Sequence, residues 1–508
     1  MVVDLSRALA VSRGTRLGEG IAVIDVGSNS VRLVIYERAS RAPTVLFNEK
    51  VLAALGEGLV DNGRLTEESM GRALIAVRRF IAVTKAADVS DVTILATAAA
   101  RVASNGAAFI RDIEAISGIK VRVLEGAEEA QMAASGVLCG FWRPDGVVGD
   151  LGGGSLELID VTAEGVGDGD SYPLGTLRLR GDAKSQLATG ASISRDILSR
   201  SEPLLACQGR NFYAVGGTWR SLVKLHMAMT GYPISIMHQY AVDANEMADF
   251  CDEVLKHGLD AMDKGNVVSK GRRALVPWGA VVMRALIALG QPKTIVASSL
   301  GVREGMIYEA LPEAERNRDP LVLAAEELAI LRNRSPRHSA ELVDFSKACL
   351  DAMGFEESDT DERLRIGACL LSDISWRSHP DYRADQALAV ISNVALYGVD
   401  HPGRGFLAQV LNDRYGGPEN PGASPDATTL CSGRLLERAK VIAAILRVAY
   451  VLAPGIADVL PKTTIVQEEG NLVLRLPAEM AVFDGERPLR RMRQLGKLAG
   501  LEGRIHAG

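Results

Sequence analysis

IAVIDVGSNSVRLVIYE, residues 21–37, consists of two runs of branched apolar residues joined by a Gly-Ser-Asn turn, the pattern of a β-hairpin with a polar tip. The chain uses this design twice. In GVVGDLGGGSLELIDV, residues 146–161, Asp150 takes the place of Asp25, Gly152 of Gly27, Ser155 of Ser30 and Leu158 of Leu33, each 125 positions further on. Solenoid periods run about 20–50 residues, so a repeat this long predicts two similar α/β domains instead. Their two hairpin tips would then face one cleft.

The sequence around the hairpins agrees. ESMGRALIAVRRFIAVTKAADV (68–89) has the spacing of an amphipathic helix, VTILATAAAR (92–101) reads as a strand ending in a loop, and GAEEAQMAASGVL (126–138) as a helix. NFYAVGGTWRSLVKLHM (211–227) and TIVASSLGVREGMIYEAL (294–311) each read as strand, Gly-containing turn and helix, a turn that lets a phosphate or nucleoside approach the backbone closely. Beyond residue 312 the texture becomes Ala- and Leu-rich helix with few strand signals. TTIVQEEGNLVLRLP (463–477) then gives two strand-like runs around a Glu-Gly-Asn turn, followed by a basic helix, RPLRRMRQLGKLAGL (487–501). The expected organisation is a loose leader over 1–20, α/β domains over 21–137 and 138–311, a helical domain over 312–454 and a small α+β region over 455–508.

Composition fits several ordinary cores. The chain has 508 residues, 47% hydrophobic and 24% charged, and at about 150 residues per domain that length suits three to four domains. A net charge of −6 gives no general attraction to nucleic acid or anionic membrane, so a polyanion must be met by a local basic site. The six cysteines are far apart, without the close pairs of zinc or redox motifs, and are expected to be buried thiols. The first twenty residues lack the apolar run of a secretory signal. The longest apolar stretches fall short of the roughly 20 residues a membrane span requires, so a cytoplasmic protein without membrane partners is expected.

Tips built of glycine, serine and asparagine offer backbone N–H groups and short donors that surround phosphate oxygens without steric conflict. Ser28, Asn29 and Ser30 form one tip; Gly152, Gly153, Gly154 and Ser155 form the other. Asp25 and Asp150 precede them, where carboxylates can hold Mg²⁺ directly or through water. One such turn means little, but two matched copies carry weight. The chain contains neither GxxxxGK[ST] nor a GxGxxG that opens a helix after a strand, which removes the P-loop and dinucleotide readings.

The paired tips resemble the actin-like ATPase superfamily, and the remaining motifs are similar to those of the exopolyphosphatase/guanosine pentaphosphate phosphohydrolase (Ppx/GppA) family. IDVGSNSVRL (24–33), ATAAAR (96–101), LEGAEEA (124–130), DLGGGSLEL (150–158), AVGGT (214–218) and SLGVREG (299–305) stand in the family's order. The resemblance covers about 21–311 and is weaker beyond. It implies a fold of two duplicated actin-like (ribonuclease H-like) domains, an all-α HD-like domain and a small α+β C-terminal appendage. It makes Glu129 the catalytic base and Arg101 the residue that holds the departing phosphoryl group. Asp25, Asp150 and Glu157 become metal-associated, and Gly216, Gly217, Thr218 and Arg303 line the nucleoside side. It also implies Mg²⁺ or Mn²⁺, with a monovalent cation such as K⁺, and a homodimer.

Chemistry supports the assignment independently, because a loose phosphoryl-transfer transition state needs a positioned base, a divalent metal and cationic or amide donors. Glu128 and Glu129 are about 100° apart on a helix, so only one can point squarely into a cleft. In the helical domain, LLSDISWRSH (370–379) puts Ser372 before Asp373 where a His-Asp pair would stand, and the seven histidines are scattered, so this domain is expected to lack phosphohydrolase chemistry. Arg490, Arg493 and Lys497 share a helical face, with Arg487 and Arg491 nearby, and offer a track for a polyanion. No aromatic interleaving points to base stacking, so nucleic acid is not an expected partner.

The sequence therefore reads as an exopolyphosphatase that releases terminal orthophosphate from inorganic polyphosphate, with conversion of pppGpp to ppGpp as a companion or as the main activity. Two rivals stay open: an actin-like small-molecule kinase and a non-catalytic alarmone or nucleotide sensor.

Overall fold

A computed structural model describes residues 20–418 and 427–508; all of the expected leader except Gly20 lies outside the described residues. The chain forms two compact units. Among the described residues, one comprises 20–232 with Met237–Asn317, and the other comprises those of Arg318–Gly508 with Pro233–Ile236.

The first unit holds two sheets. One is built from β1 (Ile21–Val26), β2 (Ser30–Tyr36), β3 (Val45–Leu52), β4 (Asp91–Ala96) and β5 (Val121–Val123), in the order β3-β2-β1-β4-β5. The other is built from β6 (Gly146–Leu151), β7 (Leu156–Thr162), β8 (Gly165–Tyr172), β9 (Asn211–Val215), β10 (Ala241–Asp243) and β11 (Thr294–Ala297), in the order β10-β11-β9-β6-β7-β8. Leaving out the edge strand β10, the second order repeats the first, with β8-β7-β6-β9-β11 matching β3-β2-β1-β4-β5. In both sheets the first three strands are antiparallel neighbours and the next two join in parallel. The duplication read from the hairpins is thus a duplication of whole sheets.

Central strands are apolar on both faces because helices cover both: Ala22, Val23, Ile24 and Val26 of β1 are all fully buried. β3 and β8 had no strand signal of their own. They are edge strands carrying Asn48, Glu49 and Lys50, or Asp168 and Asp170, which suit a solvent-facing rim. Among the described residues one helical stretch, Lys270–Gly290, is long and apolar enough to cross a membrane, which corrects the expectation that every apolar stretch is too short. Counting unbroken apolar letters stopped at Arg284, but a helix does not stop there. Most of this stretch is buried, with Val276, Ala280, Val282, Met283 and Leu286 in the core beneath the six-stranded sheet.

Two glycines fix how the site's helices meet. A Cβ at Gly305 would lie 1.7 Å from the Met132 carbonyl oxygen, and one at Gly136 would lie 2.3 Å from that of Gly301. Helix Val302–Ala310 therefore lies directly against helix Gly126–Gly140, which brings Arg303 and Glu129 to the same cleft.

The second unit is helical from Pro320–Arg332 through Gly433–Leu452. A three-stranded sheet follows, made of β12 (Thr464–Glu468), β13 (Asn471–Leu476) and β14 (Glu502–Ala507), in which β12 and β13 form the expected hairpin. β14 was not anticipated. It pairs in parallel with β13 after helix Glu486–Leu498, and its EGRIHA sequence alternates too weakly to be read alone. All six cysteines are buried and free.

Candidate active site

The two hairpin tips bound a cleft of about 170 Å³ within the first unit. Each tip is closed by one backbone hydrogen bond, Gly27 N–H to Ser30 O at 3.1 Å and Gly152 N–H to Ser155 O at 3.0 Å. Ser28, Asn29, Ser30, Gly152, Gly153, Gly154 and Ser155 all line the cleft, as do Gly216, Gly217 and Thr218. Gly216 opens the helix Gly217–Met229 at φ +98°, and a Cβ there would meet the Leu151 carbonyl at 2.4 Å, so both conformation and space demand glycine.

Glu128 and Glu129 divide as helical geometry requires. Glu128 is half-exposed, accepts the Glu125 N–H at 2.9 Å in a capping box and pairs with Arg122 at 3.1 Å. Glu129 is 8% exposed and lines the cleft. Burial pushes its carboxyl well above the usual range, Glu157 and Asp150 add to the rise, and Arg101 opposes it. Arg101 stands 3.5 Å from Glu129 Oε2 and also donates to the Leu124 carbonyl. It does not sit on a loop, as its sequence suggested, but on the short helix Ala98–Val102. Three alanines between Thr97 and Arg101 are too short a run to signal the helix they form.

The three acidic residues expected around a metal are placed differently from one another. Asp25 and Asp150 both line the cleft. Asp25 pairs with Arg303 at 3.2 Å, and burial nonetheless raises its pKa. Burial likewise pushes Asp150 up to about 6, against the pull of Arg220. Glu157 is Asp150's cross-strand partner but lies beneath the turn, 1% exposed. One of its oxygens accepts the Ser171 hydroxyl at 2.8 Å, Oε2 has no hydrogen-bond partner, and burial carries its pKa up to about 7. Among the described residues no three His, Cys, Asp or Glu side chains are close enough to form a closed metal cage. Asp25 and Asp150 fit a hard cation that keeps waters and takes its other oxygens from substrate phosphates, the usual situation of Mg²⁺.

Four cleft residues escaped the sequence reading: Arg32, Lys50, Arg220 and Arg272. Arg32 was open to discovery, because the 125-residue offset sets it opposite Glu157 in the repeat and the pleat sets it opposite Asp25 in the hairpin. Lys50 comes from an edge strand, Arg220 from the helix just past the AVGGT motif and Arg272 from a short helix without one. Burial, then the mutual repulsion of the group, pulls Lys50 down to about 8 and Arg32 down to about 10. Arg272 lies over Gly217, where a Cβ would stand 2.0 Å from its guanidinium. Arg220 donates to the carbonyls of Gly216 and Ser299, both at 3.2 Å. Arg303, 9% exposed, is held by Asp25 and by Glu304 at 3.7 Å; burial acts against its charge, but these carboxylates and Tyr36 outweigh it and raise its pKa.

In the second unit Asp373 is buried and neutralised by Arg334, through two contacts of 2.8 Å, and by Arg414 at 3.4 Å, while Ser372 bonds Tyr450 at 2.9 Å. Two arginines thus occupy the space around this carboxylate. Arg487, Arg490, Arg493 and Lys497 are exposed on the helix Glu486–Leu498, opposite buried Met492 and Leu495. The half-buried Arg491 and its neighbour Arg487 come close enough to Arg447 to depress its pKa to about 10, after burial.

Comparison with known proteins agrees with this geometry. The profile of the Ppx/GppA phosphatase family matches residues 34–314, and that of the exopolyphosphatase C-terminal domain matches 321–505. Among characterised relatives, retrograde regulation protein 2 of Saccharomyces cerevisiae is 26% identical over 78% of this chain and 72% of its own. Exopolyphosphatase 2 of Mycobacterium tuberculosis is 28% identical over 52% of this chain and 89% of its own. The crystal structure of an exopolyphosphatase from Cytophaga hutchinsonii superposes with a TM-score of 0.51 at 24% identity, covering 57% of this chain and 96% of that one, a likeness of fold.

Proposed function

Because the chain belongs to the Ppx/GppA phosphatase family, we propose that it is an exopolyphosphatase acting on the end of inorganic polyphosphate. The observation that carries this reading is the composition of the cleft, where the buried Glu129 meets the paired glycine-serine tips while Arg32, Lys50, Arg220 and Arg272 crowd the same cavity, with Arg101 3.5 Å from Glu129 at its edge. Four cations close enough to depress one another suit a ligand that brings several negative charges. No aromatic side chain is among the residues that line this cleft, so a nucleobase would find no stacking face there, which ranks polyphosphate above pppGpp.

The tips hold the terminal phosphate through their N–H groups and hydroxyls, and Arg101 neutralises charge on the phosphoryl group being transferred. Glu129 orients a water and takes its proton. The water oxygen bonds to the terminal phosphorus, the bridging P–O bond breaks, and the bridging oxygen stays on the shortened chain. Glu129 then returns the proton to solvent or product. Its raised pKa makes it a stronger base, effective once pH exceeds that value. A divalent ion at Asp25 and Asp150 would supply further charge neutralisation on the phosphates when bound. The basic helix with Arg447 provides a second place for a long chain.

A regulatory reading has one observation in its favour, the similarity to a yeast protein named for retrograde regulation over most of this chain. Orthophosphate release separates the two. Wild type with Mg²⁺ is expected to release orthophosphate from long-chain polyphosphate faster than from pppGpp and without any acceptor, which excludes a kinase. Glu129→Gln should lower the rate by about 10²–10⁴ while polyphosphate binding persists. Ligand binding without turnover by wild type would favour the sensor.

A further inference from the structure

A second cavity, of about 430 Å³, lies behind the phosphate tips. It shares Ser28, Ala98, Gly153, Gly154 and Ser155 with the substrate cleft, so these five residues form the wall between the two. None of their side chains is larger than a hydroxymethyl group. The wall is closed by contact: a Cβ at Gly153 would lie 3.0 Å from Ser28 Cβ, and one at Gly154 would lie 3.1 Å from Ala98 Cβ. The catalytic pair straddles it. Glu129 lines the cleft but not the second cavity, Arg101 lines the second cavity but not the cleft, and the two stand 3.5 Å apart. Further out the second cavity runs between the apolar side chains of Leu59 and Leu177 to Arg178, which is half exposed and pairs with Asp182 at 3.6 Å.

We propose that this second cavity is the exit for orthophosphate. The inference rests on the exopolyphosphatase reading above. A polyphosphate chain whose last phosphorus is at Glu129 fills the cleft by which it entered, so an orthophosphate cut from its end is trapped ahead of it. Two ways out exist: the chain lets go after each cut, or the product leaves through another opening. Arg101 already faces that other opening, and Arg178 is the next cation along it. The bond between terminal phosphorus and bridging oxygen has broken by this stage, so exit needs no further chemistry. It needs only a small separation of the tips, on the timescale of loop motion. A wall of glycine, alanine and serine presents no bulky side chain to swing aside. Product escape would then let the chain advance by one phosphate without dissociating.

Leu59→Trp narrows the second cavity without changing the shared wall, Arg101 or any cleft residue. Rapid-quench measurement on long-chain polyphosphate should show a first turnover at the wild-type rate and amplitude, followed by a steady phase slowed roughly 10-fold by product release. Electrophoresis should show intermediate chain lengths accumulating, because the product can then leave only when the chain does. Arg178→Glu, a surface change that keeps the test valid should the tryptophan variant misfold, should also slow the steady phase and leave the first turnover intact. Steady rates and processivity equal to wild type in both variants, with normal first turnovers, would overturn the exit while leaving the exopolyphosphatase reading standing. A wild-type protein that releases no orthophosphate from polyphosphate would overturn both.

Discussion

Replacing Asp150 by asparagine is expected to stabilise the protein at alkaline pH while removing its activity. Burial raises this carboxyl from 3.8 to about 6, and that rise already includes the attraction of Arg220. At about 1.4 kcal/mol per tenfold change, ionised Asp150 costs the folded protein up to about 3 kcal/mol relative to the unfolded chain. Because the residue faces the cleft and not a closed core, about 1–3 kcal/mol is the expected range. Since the folded-state value lies above the unfolded one, the folded protein holds the proton more tightly. Stability therefore carries no penalty below about pH 4 and declines as pH rises through 6. An asparagine of the same shape does not titrate. Thermal melts of wild type and Asp150→Asn in chelator should thus nearly coincide at about pH 3.5, draw apart between about pH 4 and 6, and stay apart to pH 8, the variant melting a few degrees higher at roughly 2 °C per kcal/mol. Orthophosphate release, measured in parallel at pH 8 with Mg²⁺, should collapse. Melting temperatures whose difference stays constant from about pH 3.5 to 8, or a variant less stable at pH 8, would refute the claim that the site holds this charge against the preference of the fold.

Arg272→Ala should raise the KM for polyphosphate by about 10- to 100-fold at low salt, as expected for a lost charge-assisted contact, and should flatten the fall of affinity with salt. Gly217→Ala should mimic it, because the new methyl occupies the place of the Arg272 guanidinium. In the second unit Arg404 is 1% exposed and donates to the carbonyls of Ile391, Val394 and Leu396. Arg404→Met keeps the volume but strands those acceptors, and should lower stability by on the order of 3 kcal/mol in denaturant melts.

What could be read in the sequence was what repeats or what is chemically unusual. The two Asp-to-Ser hairpins announced two sheets because a polar tip between branched apolar runs has few other uses. The Glu128–Glu129 pair announced a helix start, and its geometry left one of the two for the cleft. The basic lining was harder to see. Lys50 lies on an edge strand whose letters mix charge and apolar residues, Arg220 is one arginine on a long helix and Arg272 one of a basic Lys270–Arg273 turn, none distinguishable in sequence from surface residues. Only folding over distances of more than 200 residues gathers them. Arg101 was singled out by its motif but assigned to a loop, since a five-residue helix has no room for an amphipathic period.

The most informative divergence lies between the two copies themselves. In the first hairpin the pleat pairs Asp25 with Arg32; in the second, the same register pairs Asp150 with Glu157. One substitution of a cation by an acid, at matching positions of a duplicated element, makes the cleft electrically lopsided. On the second copy's side burial, and then Glu157 and Asp150, raise the pKa of Glu129 and keep its carboxylate basic. On the first copy's side Arg32 meets Lys50 and Arg272, and burial followed by repulsion from neighbouring cations lowers the pKa of each. A symmetric pair of hairpins could grip a phosphate equally from both sides but would give the chain no direction. If the chain is the exopolyphosphatase proposed above, the lopsided pair would place the end to be cut beside Glu129 and the remaining negative charge beside the cations, so the polarity such an enzyme requires would follow from how far the two repeats have drifted apart.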